Sequence, residues 1–267
     1  MQRWWINGAP GQQVDLADRG FTYGDGLFET IAIREGRPRF LALHMDRLLD
    51  GCSRLGLELS GRPDLETRLV AAAREVHHGV LKVILTRGPG ERGYRLPAVP
   101  EPTLAWGIVA SEHRPAQPVE VRWCATMTSA NPATGGLKTL GRLEQILARA
   151  EWSQPTVAEG LMTSTEGWVT GGTSSNLFLV SGDRLLTPAV NRAGIAGVMR
   201  RVVLESAADA GIGVWVGDLP PAVIATATEV FVTNALTGIR PVRQLDFRTW
   251  PTGPVTRLLQ MRLAALG

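Results

Sequence analysis

The chain has 267 residues, 44% of them hydrophobic, and a formal net charge of +3. That is enough apolar material for a sizeable core, in one large domain or two small ones. The small net charge, with no basic run beyond Arg200-Arg201, excludes the electrostatic footprint of a nucleic-acid binder.

"RWWING" opens the chain as a short strand, and "LADRGFTYGDGLFETIAIREGRPRF" follows as short strands and turns, with "FETIAI" the clearest strand. Apolar residues at Leu41, Met45, Leu48, Leu49, Cys52 and Leu55 recur at helical spacing and predict a helix over 41–57. A second helix is expected over 64–77, then strands in "GVLKVILTRG" and "EPTLAWGIVASE". "HRPAQPV" has two prolines in a polar stretch and marks a linker at 113–118, between an N-terminal domain (1–112) and a C-terminal domain (119–267). The second domain begins with "VEVRWCATM", a strand, then a Gly/Pro loop over 129–136 and a helix over 140–151. A hairpin turning at Glu166-Gly167 and a strand pair turning at 181–183 come next. "GIAGVMRRVVLESAADAGI" is a helix stopped by Gly211, "TEVFVTNALTGIRPVRQLD" is strand, loop and strand, and a last helix covers 254–266. The expected fold class is α+β in two domains, with mixed and antiparallel sheets.

Cys52 and Cys124 are too few for a disulfide framework, and His44, His77, His78 and His113 have no metal-ligand spacing, so no metal is expected. "MQRWWING" lacks the apolar segment of a signal peptide, and no uncharged apolar run reaches the roughly 18 residues of a membrane span. A cytoplasmic protein with no membrane partner is the expectation. "GPGERG" (88–93) matches a dinucleotide fingerprint, but three prolines follow where a helix would have to begin. It reads either as a solvated turn or as a mobile loop presenting Arg92 and Arg95.

Of 28 basic residues only Lys82 and Lys138 are lysine. Lys82 alternates with Leu81 and Val83 and reads as a strand lysine, its stem over apolar surface and its ammonium in water. Lys138 follows the small-residue stretch "NPATGGL" and precedes a helix. It is either an incidental loop lysine or an amine that forms a Schiff base, chemistry closed to arginine because arginine stays protonated. "AGIAGVMR" (193–200) and "VTNALTG" (232–238) each read alone as a helix start and a turn. Both have backbone N–H groups suited to a phosphate, and with Lys138 they point to pyridoxal 5'-phosphate (PLP).

"DRGFTYGDGLFETI", "HMDRL", "LKTLGRLEQILAR", "SSNLFLV", "GIAGVMR" and "NALTGIRPV", in that order along the chain, resemble the blocks of the fold-type IV PLP enzymes. That family includes branched-chain aminotransferases, D-amino-acid aminotransferases and 4-amino-4-deoxychorismate lyases. The resemblance implies Lys138 as the Schiff-base lysine and general base, and Arg47 on the cofactor phosphate. It also implies phosphate contacts from Gly197 and Val198, and from the loop Asn234, Ala235 and Leu236. "KVILTRGPGERGY", "LKTLGRLEQ" and "VTNAL" lean to the lyase branch. So does Leu143, where branched-chain aminotransferases carry tyrosine. The implied reaction converts 4-amino-4-deoxychorismate to p-aminobenzoate and pyruvate, on the route to folate. Thr30 would then be the proton-donating hydroxyl, Arg92 the partner of the dicarboxylate substrate, and Tyr94 and Arg95 secondary contacts. A homodimer with its site between the domains is implied as well.

One block departs from the family. The acid that pairs with the pyridine nitrogen stands five residues before the Asn of "NLF"; here that position is Gly171. Glu166, at the hairpin turn, is too far off on any ordinary path, and a bare hydroxyl at Thr173 or Ser174 would stabilise a pyridinium less well. The loss weakens the electron sink, which favours a lyase, whose product is aromatic, over an aminotransferase. It also leaves open a catalytically impaired PLP-binding homologue.

Overall fold

The structure, a computed structural model, describes residues 3–112 and 115–266. Residues 113 and 114 of the expected linker, His113 among them, lie outside the described residues. The chain divides into two units: Met1–Arg114 with Leu137–Gly141, and Pro115–Gly136 with Arg142–Gly267.

The first unit contains β1 (Arg3–Ile6), β2 (Ala9–Pro10), α1 (Arg19–Tyr23), β3 (Gly26–Arg34), β4 (Arg37–Pro38), α2 (Leu41–Leu55), α3 (Arg62–Ala73), β5 (His78–Thr86) and β6 (Thr103–Ala110). Among the described residues its strands form one antiparallel six-stranded sheet, in the order β2-β1-β6-β5-β3-β4. Alternation along β3 sends Leu27, Ile31 and Ile33 into a core with Met45, Leu48 and Cys52 of α2 and Leu65 and Leu69 of α3. Phe28 and Thr30 point to the other face. Trp5 and Trp106 are cross-strand partners whose rings stack at 4.1 Å.

Sequence periodicity misses α1, because five residues cannot show it. The helix is set by its ends: Asp18 accepts from the Gly20 N–H at 2.7 Å, and Gly24 closes the turn at φ +68°. A Cβ on Gly20 would lie 2.2 Å from Thr86 Cγ2. Gly20→Ala is therefore expected to destabilise the protein by about 1–3 kcal/mol, measured as a lower urea midpoint at unchanged slope.

The second unit contains β7 (Val119–Trp123), α4 (Leu143–Arg149), β8 (Val157–Thr163), β9 (Val169–Gly172), β10 (Asn176–Ser181), β11 (Arg184–Pro188), α5 (Val198–Asp209), β12 (Gly213–Gly217), β13 (Glu229–Asn234), β14 (Gly238–Leu245), β15 (Arg248–Thr249) and α6 (Pro254–Ala265). A nine-stranded mixed sheet runs β12-β11-β10-β13-β14-β7-β8-β9 among the described residues, with β15 on β14. The parallel pairs β7–β8 and β11–β12 are each joined through a helix, α4 and α5. β12 and a 3-10 turn at Pro221–Thr226 are absent from the sequence reading. β12 is a five-residue edge strand between glycines, too short for its pattern to declare itself.

The helix expected over 64–77 spans Arg62–Ala73, and three further shifts bear on the site. The helix expected from residue 140 begins at Leu143, because Lys138–Leu140 pair with the edge of β3: the Phe28 N–H donates to the Lys138 carbonyl and the Leu140 N–H to the Gly26 carbonyl. The same pairing, with Leu137 in the first core, puts Lys138 in the first unit rather than in the C-terminal domain. α5 begins at Val198 rather than 193, because Gly194–Ala196 bond to Gly136 instead of to a helical turn.

Candidate functional site

In the first unit the edge of β3 sets the geometry around Lys138. Its backbone is fixed by the Phe28 N–H, and its Nζ lies 4.1 Å from the centroid of the Phe28 ring. Lys82 of β5 is exposed and pairs with Thr30, and its Nζ lies 5.2 Å from the same ring. Both lysines of the chain therefore stand on one phenyl ring, with the Thr30 hydroxyl on the same face of the sheet. Lys82 does have the exposure expected of a strand lysine. Alternation shows which face it takes but not that Phe28 and Lys138 share it, so the sequence reading misses it as a site residue.

Behind this face, Glu29 points into the core and meets α2. Arg47 grips it with two parallel bonds, Nε to Oε1 at 2.7 Å and Nη2 to Oε2 at 2.5 Å. His44 Nδ1 is 2.6 Å from Oε2 and carries the proton, since a carboxylate only accepts. His44 Nε2 is buried and finds no partner among the described residues. Burial opposes the charge on Glu29, but the His44 hydrogen bond and Arg47 outweigh it and hold the carboxyl at about 2. Burial lowers the pKa of His44; Glu29 opposes this, and the charges of Arg47 and Lys138 add to it.

These shifts fix a pH dependence. Unfolded chains take up a proton at His44 below about pH 6.5 and at Glu29 below about 4.5, while the folded protein resists both. Unfolded chains thus bind more protons in acid, so stability falls as pH drops, first through 6.5 and then from 4.5 toward 2. Chemical denaturation from pH 8 to 3 is expected to show a loss of about 2 kcal/mol from Glu29 alone over the part of the lower window it covers.

Asp25 accepts from Arg19 Nε and from Arg87 Nε and Nη2. Burial pushes its pKa up, but these two arginines prevail and hold it below its ordinary value. Arg19 Nη1 also donates to the carbonyls of Gly93 and Arg95, and the Gly93 N–H donates to the Tyr23 hydroxyl, so the "GPGERG" loop is pinned on α1. Arg92, Tyr94 and Arg95 are exposed on it, and neither arginine makes an ion pair among the described residues. Burial pushes both thiols, Cys52 and Cys124, up to about 11, which keeps them protonated and poor nucleophiles. Among the described residues no group of three or more His, Cys, Asp or Glu is placed to hold a metal, and no helix is long and apolar enough to cross a membrane.

In the second unit Gly197 is the N-cap of α5, and among the described residues no side chain caps the first N–H groups of the helix. A Cβ on Gly197 would lie 2.0 Å from Asn176 Oδ1, so only glycine fits there. Asn176 Nδ2 donates to the Ile195 carbonyl and ties the approach of α5 to β10. Asn234 folds its own loop: Oδ1 accepts from the N–H groups of Leu236 (3.0 Å) and Thr237 (2.9 Å) and from the Thr237 hydroxyl. The N–H that Leu236 was expected to offer a phosphate is thus engaged within the loop. Glu166 is ion-paired with Arg192 at the hairpin turn. Glu159, not singled out by the sequence reading, is buried beside Gly172; its signal was an acid alternating with Val157 and Leu161 on an apolar strand face.

Residues 26–245 match the model of class IV aminotransferases. The chain belongs to the class IV aminotransferase family. Within it, the chain is similar to an aminodeoxychorismate lyase of Vibrio harveyi, at 32% identity over 97% of this chain and 98% of the relative. It is also similar to a D-alanine aminotransferase of Staphylococcus aureus, at 26% identity over 97% and 96%. The crystal structure of 4-amino-4-deoxychorismate lyase from Pseudomonas aeruginosa superimposes with a TM-score of 0.91, at 44% identity and 98% coverage of both chains. The class IV family thus accounts for the two-domain α+β fold and for the order of the motifs.

Proposed function

We propose that the protein is a PLP-dependent lyase that releases p-aminobenzoate and pyruvate from 4-amino-4-deoxychorismate. The likeness to lyases over nearly the full chain carries this reading. Residues suited to PLP are present: an amine at Lys138 and a helix start at Gly197 that no side chain caps. Gly197 and Val198 would hold the phosphate, with Arg47 and the Ala235 backbone of the loop that Asn234 folds by holding the Leu236 N–H. Bound there, PLP supplies an electron sink for a negative charge developed on the substrate carbon that bears nitrogen.

Lys138 Nζ would hold the cofactor, and its amine, when free, would take the proton from that carbon. The Thr30 hydroxyl gives a proton to the departing enolpyruvyl group. Lys82, exposed beside Phe28, and Arg92, exposed on its pinned loop, are cations available to the two substrate carboxylates. Tyr94 and Arg95 line the same loop. Glu29 and His44 fix Arg47, so their part is to position it. Leu143, Ile146 and Leu147 form an exposed apolar strip on α4, which supports a homodimer; we place the dimer in the cytoplasm.

An amino-donor competition tests the reaction type. PLP-loaded protein given D-alanine or a branched-chain amino acid with 2-oxoglutarate is expected to form no glutamate at a rate comparable to its release of p-aminobenzoate from the aminodeoxy substrate. Faster glutamate formation would make it an aminotransferase.

A further inference from the structure

Glu159 is a buried acid outside the lysine and phosphate machinery. It is 4% exposed, on the face of β8 that sends Leu161 into the second unit's core. A carboxylate in such a place is costly unless donors match its charge. Six donors converge on it. Oε1 accepts from the N–H groups of Gly160 and Thr173, each at 3.0 Å, and from the Thr173 hydroxyl at 2.5 Å. Oε2 accepts from the Ser174 N–H at 3.2 Å and from the hydroxyls of Ser174 (2.7 Å) and Ser175 (2.8 Å). Each hydroxyl gives its proton to Glu159, so what it presents elsewhere is lone pairs.

The backbone is shaped around this carboxylate. A Cβ on Gly172 would lie 2.7 Å from Glu159 Cδ. Gly171 has φ +133°, which side-chain-bearing residues rarely adopt, and a Cβ there would meet the Ser175 carbonyl at 2.8 Å. The family's acid does not fit at position 171 on this backbone. The loop also has the right neighbours. Asn234 Nδ2 donates to the Ser174 carbonyl at 3.3 Å, and Asn176, next in the chain after Ser175, holds the Ile195 carbonyl ahead of α5. Both elements assigned to the phosphate are therefore bonded to the 171–176 segment. Arg240 of β14 and Cys124 are the other titratable groups that sense Glu159; burial lowers the pKa of Arg240, and Glu159 opposes that.

We propose that Glu159 replaces the missing acid at one remove. The hydroxyls of Thr173 and Ser174 accept from the pyridine N–H of PLP and pass to it the charge of the carboxylate they are bonded to. A hydroxyl polarised by a carboxylate is a better acceptor than a bare one, which removes the electronic deficit expected from Gly171. Glu159 is a positioning residue in this scheme, and the inference rests on the PLP reading above.

The test is the nitrogen itself. Protein loaded with ¹⁵N-labelled PLP is examined by NMR at neutral pH, with borohydride trapping to show attachment at Lys138 and circular dichroism to show the fold. The wild type is expected to hold a protonated pyridine nitrogen. Glu159→Gln and the double variant Thr173→Val/Ser174→Ala are expected to hold a neutral one and to bind PLP about tenfold more weakly. A merely structural Glu159 would weaken binding without moving the nitrogen signal. A neutral nitrogen in PLP-bound wild type, or a protonated one in both variants, overturns the proposal alone. If Glu159→Gln fails to fold, the hydroxyl variant decides. Failure of the wild type to take up PLP overturns the cofactor reading and this proposal with it.

Discussion

Lys138→Ala is expected to lower turnover of 4-amino-4-deoxychorismate by at least about 10³-fold and to leave the fold standing. The two outcomes separate because the residue's structural contribution comes from its backbone. The Lys138 carbonyl accepts from Phe28, and its neighbours Thr139 and Leu140 extend the pairing on β3. Alanine keeps all of these backbone bonds and removes the amine over the Phe28 ring. Retained urea midpoint with lost activity, and lost Schiff-base absorption, is the expected combination. Activity within about tenfold of wild type would remove Lys138 from the chemistry.

Glu29→Gln is expected to be the most damaging substitution for stability, costing about 3–5 kcal/mol. The carboxylate and the His44 side chain are each 1% exposed and the Arg47 side chain 13%. Glutamine keeps the volume but leaves the Arg47 guanidinium facing an amide that cannot take both of its N–H groups. Arg47 then loses the countercharge of Glu29 that offsets its burial. The variant is also expected to bind PLP more weakly, because Arg47 loses the grip that orients it, and to lose the acid limb between pH 4.5 and 2. A shift of the unfolding free energy below about 1 kcal/mol would show the pair to be replaceable.

What could be read from the sequence follows the range of the signal. β3 and α2 declare themselves through period-2 and helical patterns over nine and fifteen residues. Lys138 was visible because arginine is nearly universal elsewhere in the chain, and Arg47 and the helix start at Gly197 stood in recognisable blocks. What stayed hidden depends on partners distant in sequence. Lys138 leaves its own helix because β3 has a free edge at Gly26–Phe28, a fact about pairing and not about local preference. Glu29 looks like any strand acid until His44 and Arg47 of α2 face it. Glu159 and Gly171 are twelve residues apart, and only the β8–β9 register places the carboxylate against Gly172. Sequence reading could see that an acid was lost at 171, but not that the space and the hydroxyls were arranged around another.

The most direct measurement is joint quantification of p-aminobenzoate and pyruvate released from 4-amino-4-deoxychorismate by the PLP-loaded protein, with Lys138→Ala alongside. Equal amounts of the two products, absent from the variant, are the predicted result. A folded, PLP-bound wild type that releases neither, or that releases both at the same rate as Lys138→Ala, would contradict the assignment of a PLP-dependent lyase.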